Sequence, residues 1–200
     1  MHYILAVFYW VLLNLSPEVR FNFCNIKLIA IAKTKDLRET DCFALLTDFI
    51  MTINQLNSSD GLQLDVLGKI VIFFGFVGFA IGDTLALQWI GGFLEGVGKA
   101  LQFCRSCHIT HDERFNNFNS KYLLRDLETH QLQLKLLENS PDLSKQYGIK
   151  KSSVLLKIND FDICKGLLHD PMHVFIEDVC ITEIKNLLDK RSKLKKSICK

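Results

Sequence analysis

Three observations predict an α/β fold. Two short apolar runs of strand character lie near the start, a helical spacing of apolar residues follows them, and a longer apolar run then ends on Gly82-Asp83 before helical spacing resumes. Strand, strand, helix, strand, helix is a layered α/β order. The 200 residues, 48% hydrophobic and 23% charged, suffice for a sizeable core and exclude disorder as the overall state. Three prolines and eleven glycines, with no fixed-period repeat, exclude collagen-like, Pro-rich and solenoid architectures.

The elements follow in order. Residues 3–13, YILAVFYWVLL, read as a strand closed by the turn-like Leu15-Ser16-Pro17-Glu18, and residues 26–32, IKLIAIA, read as a second strand. From Asp41, a capping residue type, Phe43, Leu46, Phe49, Ile50, Ile53 and Leu56 fall on one helical face, and Asn57-Ser58-Ser59-Asp60-Gly61 ends the helix. Leu62 to Val66 alternates, Leu67-Gly68 turns, and Lys69 to Ile81 returns as a strand expected to be buried on both faces. Thr84 to Gly96 is expected to continue as a helix under the sheet. A helix is predicted from Leu123 to Glu138, stopped by Asn139-Ser140-Pro141, and a final amphipathic helix from Val174 to about Leu194.

Two runs invite a membrane reading. Residues 3–13 lack a preceding Lys or Arg and a small-residue cleavage site, so they do not read as a signal peptide. Ile70 to Ile81 is shorter than the ~20 residues a spanning helix needs, and extension to Leu94 would set Asp83 in mid-bilayer at a cost of about 2.5–3.5 kcal/mol. A membrane anchor over residues 70–94 stands as the alternative reading. Lys+Arg 24 against Asp+Glu 22 gives +2, so bulk charge argues for no particular partner. The exception is local: residues 190–196, KRSKLKK, are strongly basic and read first as a solvated helix end, with a patch facing phosphate or an acidic membrane surface as the alternative. Seven widely spaced cysteines do not form the dense framework of a small secreted domain, which favours a reducing compartment, nuclear or cytoplasmic, over secretion.

Three constellations bear chemistry. Asp83 ends a strand, where ligands and metals gather on open α/β sheets, and an acidic oxygen there suits Mg²⁺. Sequence chemistry alone favours a plainer role, capping the helix that begins at Thr84. Cys104-Arg105-Ser106-Cys107 offers two thiolates at the spacing of half a tetrahedral zinc site, with His108, His111, His130, Cys164, His169 and His173 as further ligand types. Unligated thiols are the default reading, and a redox pair is the further alternative. Asp170-Pro171-Met172-His173 opens the last helix, with Pro171 at a first helical position and Asp170 able to cap. There is no Walker loop, GxSxG elbow, HExxH or dinucleotide fingerprint, so no small-molecule substrate is expected.

In combination, Gly82-Asp83-Thr84-Leu85-Ala86-Leu87 with Gly91-Gly92-Phe93-Leu94-Glu95-Gly96, then Phe103-Cys104-Arg105-Ser106-Cys107, then Gly166 to Val179, GLLHDPMHVFIEDV, resemble the central part of eukaryotic cut-and-paste DNA transposases of the CACTA-like group. The resemblance spans roughly Tyr3 to Leu188 and rests on motif order. It implies a partial ribonuclease-H-like mixed sheet in residues 1–100, a mainly helical, Cys/His-bearing insertion in 101–173, and a helix with a basic tail in 174–200. It makes Asp83 the second carboxylate of a DDE triad, Cys104 and Cys107 the CxxC, and Asp170 with His173 the DxxH. His130 sits where such proteins often carry a histidine. Intact relatives act on DNA through paired Mg²⁺ ions about 3.5–4 Å apart, held by carboxylates, and zinc at Cys104, Cys107, His130 and His173 is the further cofactor implied.

The family pattern sets a first Asp on a strand before Tyr3 and a last Glu well beyond the DxxH, and the chain supplies neither; Glu177 belongs to the motif's own helix. The expectation is therefore an incomplete catalytic region, inactive as a nuclease because one carboxylate cannot hold two metals. A zinc-stapled interaction module is the third reading.

Overall fold

The apolar runs at the start pair with each other. In the computed structural model, which describes residues 4–39, 42–116, 121–172, 176 and 180–188, β1 (Leu5–Trp10) runs antiparallel to β2 (Lys27–Lys33). Their register runs from Leu5↔Lys33 to Trp10↔Lys27, with an irregularity between Phe8 and Tyr9. The connection holds the short helix α1 (Pro17–Arg20), whose first position is Pro17, a residue that lacks the amide hydrogen left unbonded there in any case. Arg20 fastens this turn by donating to the carbonyl of Leu15 at 2.7 Å.

Helix α2 (Thr34–Glu39) leads to α3 (Cys42–Leu56), which forms where the helical spacing predicts it. Leu46 and Ile50, four positions apart and so on one face, are both buried, and α3 packs on β2 and on the turn at Val154–Lys157. Asn54 seals that contact: its amide donates to the Lys157 carbonyl at 2.8 Å and its oxygen accepts from the Asn159 amide at 2.9 Å. Strands β3 (Leu62–Val66) and β4 (Lys69–Phe73) then form a hairpin. Leu67 and Gly68 turn it with φ of 55° and 78°, and the Asp65 carboxylate accepts from the Gly68 amide at 2.7 Å. Positive φ at both central residues is the twist that suits a two-residue hairpin.

The architecture is thus mixed α/β with two separate two-stranded antiparallel sheets. The long, doubly buried strand expected over Lys69 to Ile81 is not present. β4 ends at Phe73, and Ile70, Phe74, Phe76 and Ile81 are exposed. Leu5, Val7 and Tyr9 on β1, with Ile31 opposite Val7, likewise face outward. The reason is physical: hydrophobicity favours burial, but burial needs a covering layer, and among the described residues neither hairpin has a third strand. The 70–94 stretch is a strand, an irregular run and α4 (Thr84–Ile90), and no helix among the described residues is long and apolar enough to cross a membrane.

The remaining helices are α5 (His111–Asn116), α6 (Leu127–Asn139), α7 (Ser144–Tyr147) and α8 (Ile163–Gly166). Asp126 starts α6 by accepting from the Thr129 amide at 2.8 Å, four positions later than the start the sequence predicts. Residues 181–188 are helical, while 189–194 and the basic run 190–196 lie outside the described residues.

The chain divides into two compact units, one of residues 1–78, 90–92 and 151–163, the other of 79–89, 93–150 and 164–200. The first has its core around Leu37, Leu46, Ile50, Leu155, Ile158 and Phe161. The second centres on Phe93, Ile149 and Leu167. Phe93 bridges Ile149, and the Leu94 amide donates to the Gly148 carbonyl at 2.9 Å. Gly148 is required there: its φ is +69°, and a Cβ would fall 2.2 Å from the Gln102 carbonyl oxygen.

Candidate metal centre

The second unit contains every residue singled out for chemistry that the structure describes. Its organising element is a short parallel bridge between Ala80 and Leu167, in which the Ala80 amide donates to the Gly166 carbonyl at 2.7 Å and the Leu168 amide to the Ala80 carbonyl at 3.0 Å. Asp83 follows three residues after this bridge. It is exposed, and one carboxylate oxygen accepts from the Ala86 amide at 2.8 Å, so Asp83 caps α4.

On its other side, the Leu167 segment meets the CRSC loop. Arg105, buried, donates to the carbonyls of Leu167 at 3.4 Å and Leu168 at 3.2 Å. Ser106 shares a hydrogen bond of 3.1 Å with Nε2 of His169. The loop also leans on residues 123–125: Cys107 bridges Leu124, the His108 amide donates to the Leu123 carbonyl at 2.9 Å, and the Arg125 amide donates to the Ser106 carbonyl at 3.0 Å. The backbone leading into GDT, at Ala80, and the CRSC loop, through Arg105, thereby both meet the GLLHDP segment at Leu167, which is 2% exposed.

Within the loop, the Ser106 amide donates to the Cys104 sulfur at 3.4 Å, and the Cys107 thiol neighbours that of Cys104. An amide aimed at one sulfur and a second thiol beside it suit the thiolate half of a tetrahedral zinc site. Burial, first, and the neighbouring Cys104 push the Cys107 thiol up to about 11, against the lowering pull of the Ile109 amide and Arg125. Without an ion this thiol is neutral.

Of the other expected ligands, His130 does not join the pair. His130 is 1% exposed and lies in the core beside Phe93, ring centroids 5.4 Å apart. Among the described residues no group of three His, Cys, Asp or Glu side chains is placed to hold one ion. Helical register explains this, because α6 turns His130 toward the apolar core it shares with Phe93. His173 lies outside the described residues. Asp170 accepts from the Met172 amide at 2.9 Å, a local turn at the head of its segment. His169 is held below the usual histidine range by burial and then by Arg105, and His108 by burial and then by Arg125.

Sequence reasoning passed over the two buried arginines. Arg125 donates from Nε to the Cys104 carbonyl at 2.8 Å, from Nη2 to the carbonyls of Gln102 at 3.1 Å and Tyr147 at 2.6 Å, and from Nη1 to Gln133 Oε1 at 3.4 Å. The available signal was Arg105 lying between two cysteines, and Arg125 directly following Leu123-Leu124 in an otherwise polar segment. Comparisons with protein-family models, curated proteins and solved structures find no match for this chain.

Proposed function

We propose that this chain carries the central part of a transposon-derived, ribonuclease-H-like DDE catalytic region, with Asp83 as the relic of its second carboxylate, and that these 200 residues do not cut DNA by themselves. One observation carries the reading: the Ala80 backbone that leads into Gly82-Asp83, the CRSC loop and the GLLHDP segment, separated by up to 80 and more positions and recognised in sequence only by their order, meet at Leu167 and Leu168. Independent motifs in an unrelated protein have no reason to converge in this way. The capping bond of Asp83 agrees with the reading, since a carboxylate at the head of a helix can serve the backbone with one oxygen and an ion with the other.

The chemistry limits what the chain does. Two-metal phosphodiester cleavage needs several carboxylates to clamp two ions, and within this chain the resemblance supplies Asp83 alone. Residual function then rests on the second unit, with zinc at Cys104 and Cys107 as a staple and DNA as the partner of intact relatives. The recombinant chain is expected to show no Mg²⁺- or Mn²⁺-dependent nicking of supercoiled DNA; clear nicking that disappears in Asp83→Ala would overturn this. The transposon reading itself is tested by the genomic sequence around the coding region. It should encode the other two carboxylates in strand and helix contexts, and their absence from both sides counts against the proposal.

A further inference from the structure

Arg105 and Ser106, the two residues between the cysteines, are the ones that hold the neighbouring segment. Arg105 donates to the carbonyls of Leu167 and Leu168, and Ser106 bonds His169. Cys104 and Cys107 therefore bracket these side-chain contacts. The loop is fastened from the other side as well. Arg125, 3% exposed with its guanidinium carbon 5.7 Å from the Phe93 ring centroid, donates from its side chain to the carbonyls of Gln102 and Cys104, and from its amide to the Ser106 carbonyl. Cys107 itself bridges Leu124. A loop held at both ends keeps its two sulfurs beside each other. Both thiols are partly exposed, whereas Cys42 and Cys164 are buried. Arg105 faces Cys104, and Arg125 faces both thiols, with positive charge. Partly exposed sulfur in electropositive surroundings is the setting of reactive cysteines, and a structural buried cysteine is inert.

Two neighbouring thiols, with no third ligand placed beside them among the described residues, fall short of a closed zinc site, yet they are all that a disulfide needs. We propose that Cys104 and Cys107 are a reversible dithiol–disulfide pair, oxidised by a small disulfide of the glutathione type, whose closure locks the CRSC loop against the Leu167 segment. The exchange balances in two steps. One cysteine thiolate attacks the small disulfide, which forms a mixed disulfide and releases one small thiol; the other cysteine sulfur then displaces the second small thiol and closes the protein bond. The pair gives up two electrons and two protons, and the small disulfide takes them as it becomes two thiols. Proximity carries the second step even for Cys107, whose thiol burial keeps protonated. Closure needs neither a bound ion nor the transposon reading. In a reducing compartment such bonds are transient and sense the redox state.

The test uses the full 200-residue chain, reduced and then treated with a chelator, because an ion would occupy the same sulfurs. It is equilibrated with reduced and oxidised glutathione at about 1 mM each, its remaining thiols are alkylated, and it is digested with trypsin. Trypsin cuts after Arg105, between the two cysteines, so closure is read by mass as peptides 100–105 and 106–114 held together. More than about half of the chains should carry this link, and a dithiol reductant should separate the peptides again. Closure should raise the melting temperature by about 2 °C or more. Cys107→Ser, with no second sulfur to resolve the adduct, should keep one glutathione on peptide 100–105. Glutathione that stays on the wild-type peptides without linking them overturns the proposal, as does linkage that forms only in urea or preferentially to another cysteine. So does a Cys107→Ser chain that takes up no glutathione at Cys104. A melting temperature unchanged or lowered by closure overturns the locking. If Cys107→Ser does not fold, the wild-type peptides decide on their own.

Discussion

Ser106 and His169, 63 positions apart, share a hydrogen bond of 3.1 Å between the serine hydroxyl and Nε2 of the imidazole. Arg105 reinforces this join by donating to the two carbonyls just before His169. An exposed neutral hydrogen bond contributes little, whereas a buried Arg that leaves two carbonyls behind costs more. Ser106→Ala should therefore lower stability by less than about 1 kcal/mol and Arg105→Met by clearly more than that, as read by urea denaturation. Equal losses would contradict this division.

The two histidines facing these arginines set a pH dependence. Both His169 and His108 have lowered values in the folded chain, so the unfolded chain binds protons first as pH falls below the ordinary value of 6.5. Stability should be full above that pH and decline through pH 6 and below. Replacing both with Gln should flatten the melting temperature between pH 7.5 and about 5.5. A melting temperature that rises on acidification over this window would contradict the sign.

Asp83 separates structural from catalytic service. Asn also accepts the Ala86 amide, so Asp83→Asn should keep the stability that Asp83→Ala loses, roughly 1 kcal/mol. Equal melting temperatures for the Asn and Ala variants would show that the cap contributes nothing measurable.

Two glycines with positive φ should behave oppositely. Gly148→Ala drives a Cβ to within 2.2 Å of the Gln102 carbonyl oxygen and should destabilise the second unit by more than about 2 kcal/mol. Gly68, with a φ of +78° and nothing within 4 Å, should accept Asn with a change of roughly 0.5 kcal/mol. Circular dichroism on thermal unfolding of both variants reads the contrast.

Zinc supplies the last expectation. Chain purified without chelator should carry near one equivalent, lost in Cys104→Ser; well-folded protein free of metal by elemental assay contradicts the zinc reading.

Much of this was legible in the residues. The spacing of Leu46 and Ile50, the Leu67-Gly68 turn and the stop at Asn139-Ser140-Pro141 each have a local cause, and each element forms where that cause lies. The stretch from Phe74 to Ile81 was misread because apolar composition reports a tendency to be covered, whereas exposure depends on which strands lie alongside. At the site, the adjacency of Cys104 and Cys107 follows from their spacing. The place of His130 does not, because a histidine on a helix faces a core or an ion according to what packs opposite. Arg105 and Arg125 were passed over for a related reason: composition assigns arginine to the surface, and only the tertiary arrangement of carbonyls makes an interior berth for it.

The Ala80–Leu167 bridge also bears on how the molecule can be dissected. The boundaries 101 and 173 suggest a module that could be excised and expressed alone, yet the compact unit takes in residues 79–89 and 93–100 from outside them. A fragment cut at those boundaries leaves behind the backbone that pairs with Gly166 and Leu168, and with it Phe93, the ring on which Arg125 rests. The cysteine-bearing region is therefore not separable along the chain. Any piece that retains it intact must begin no later than Phe79.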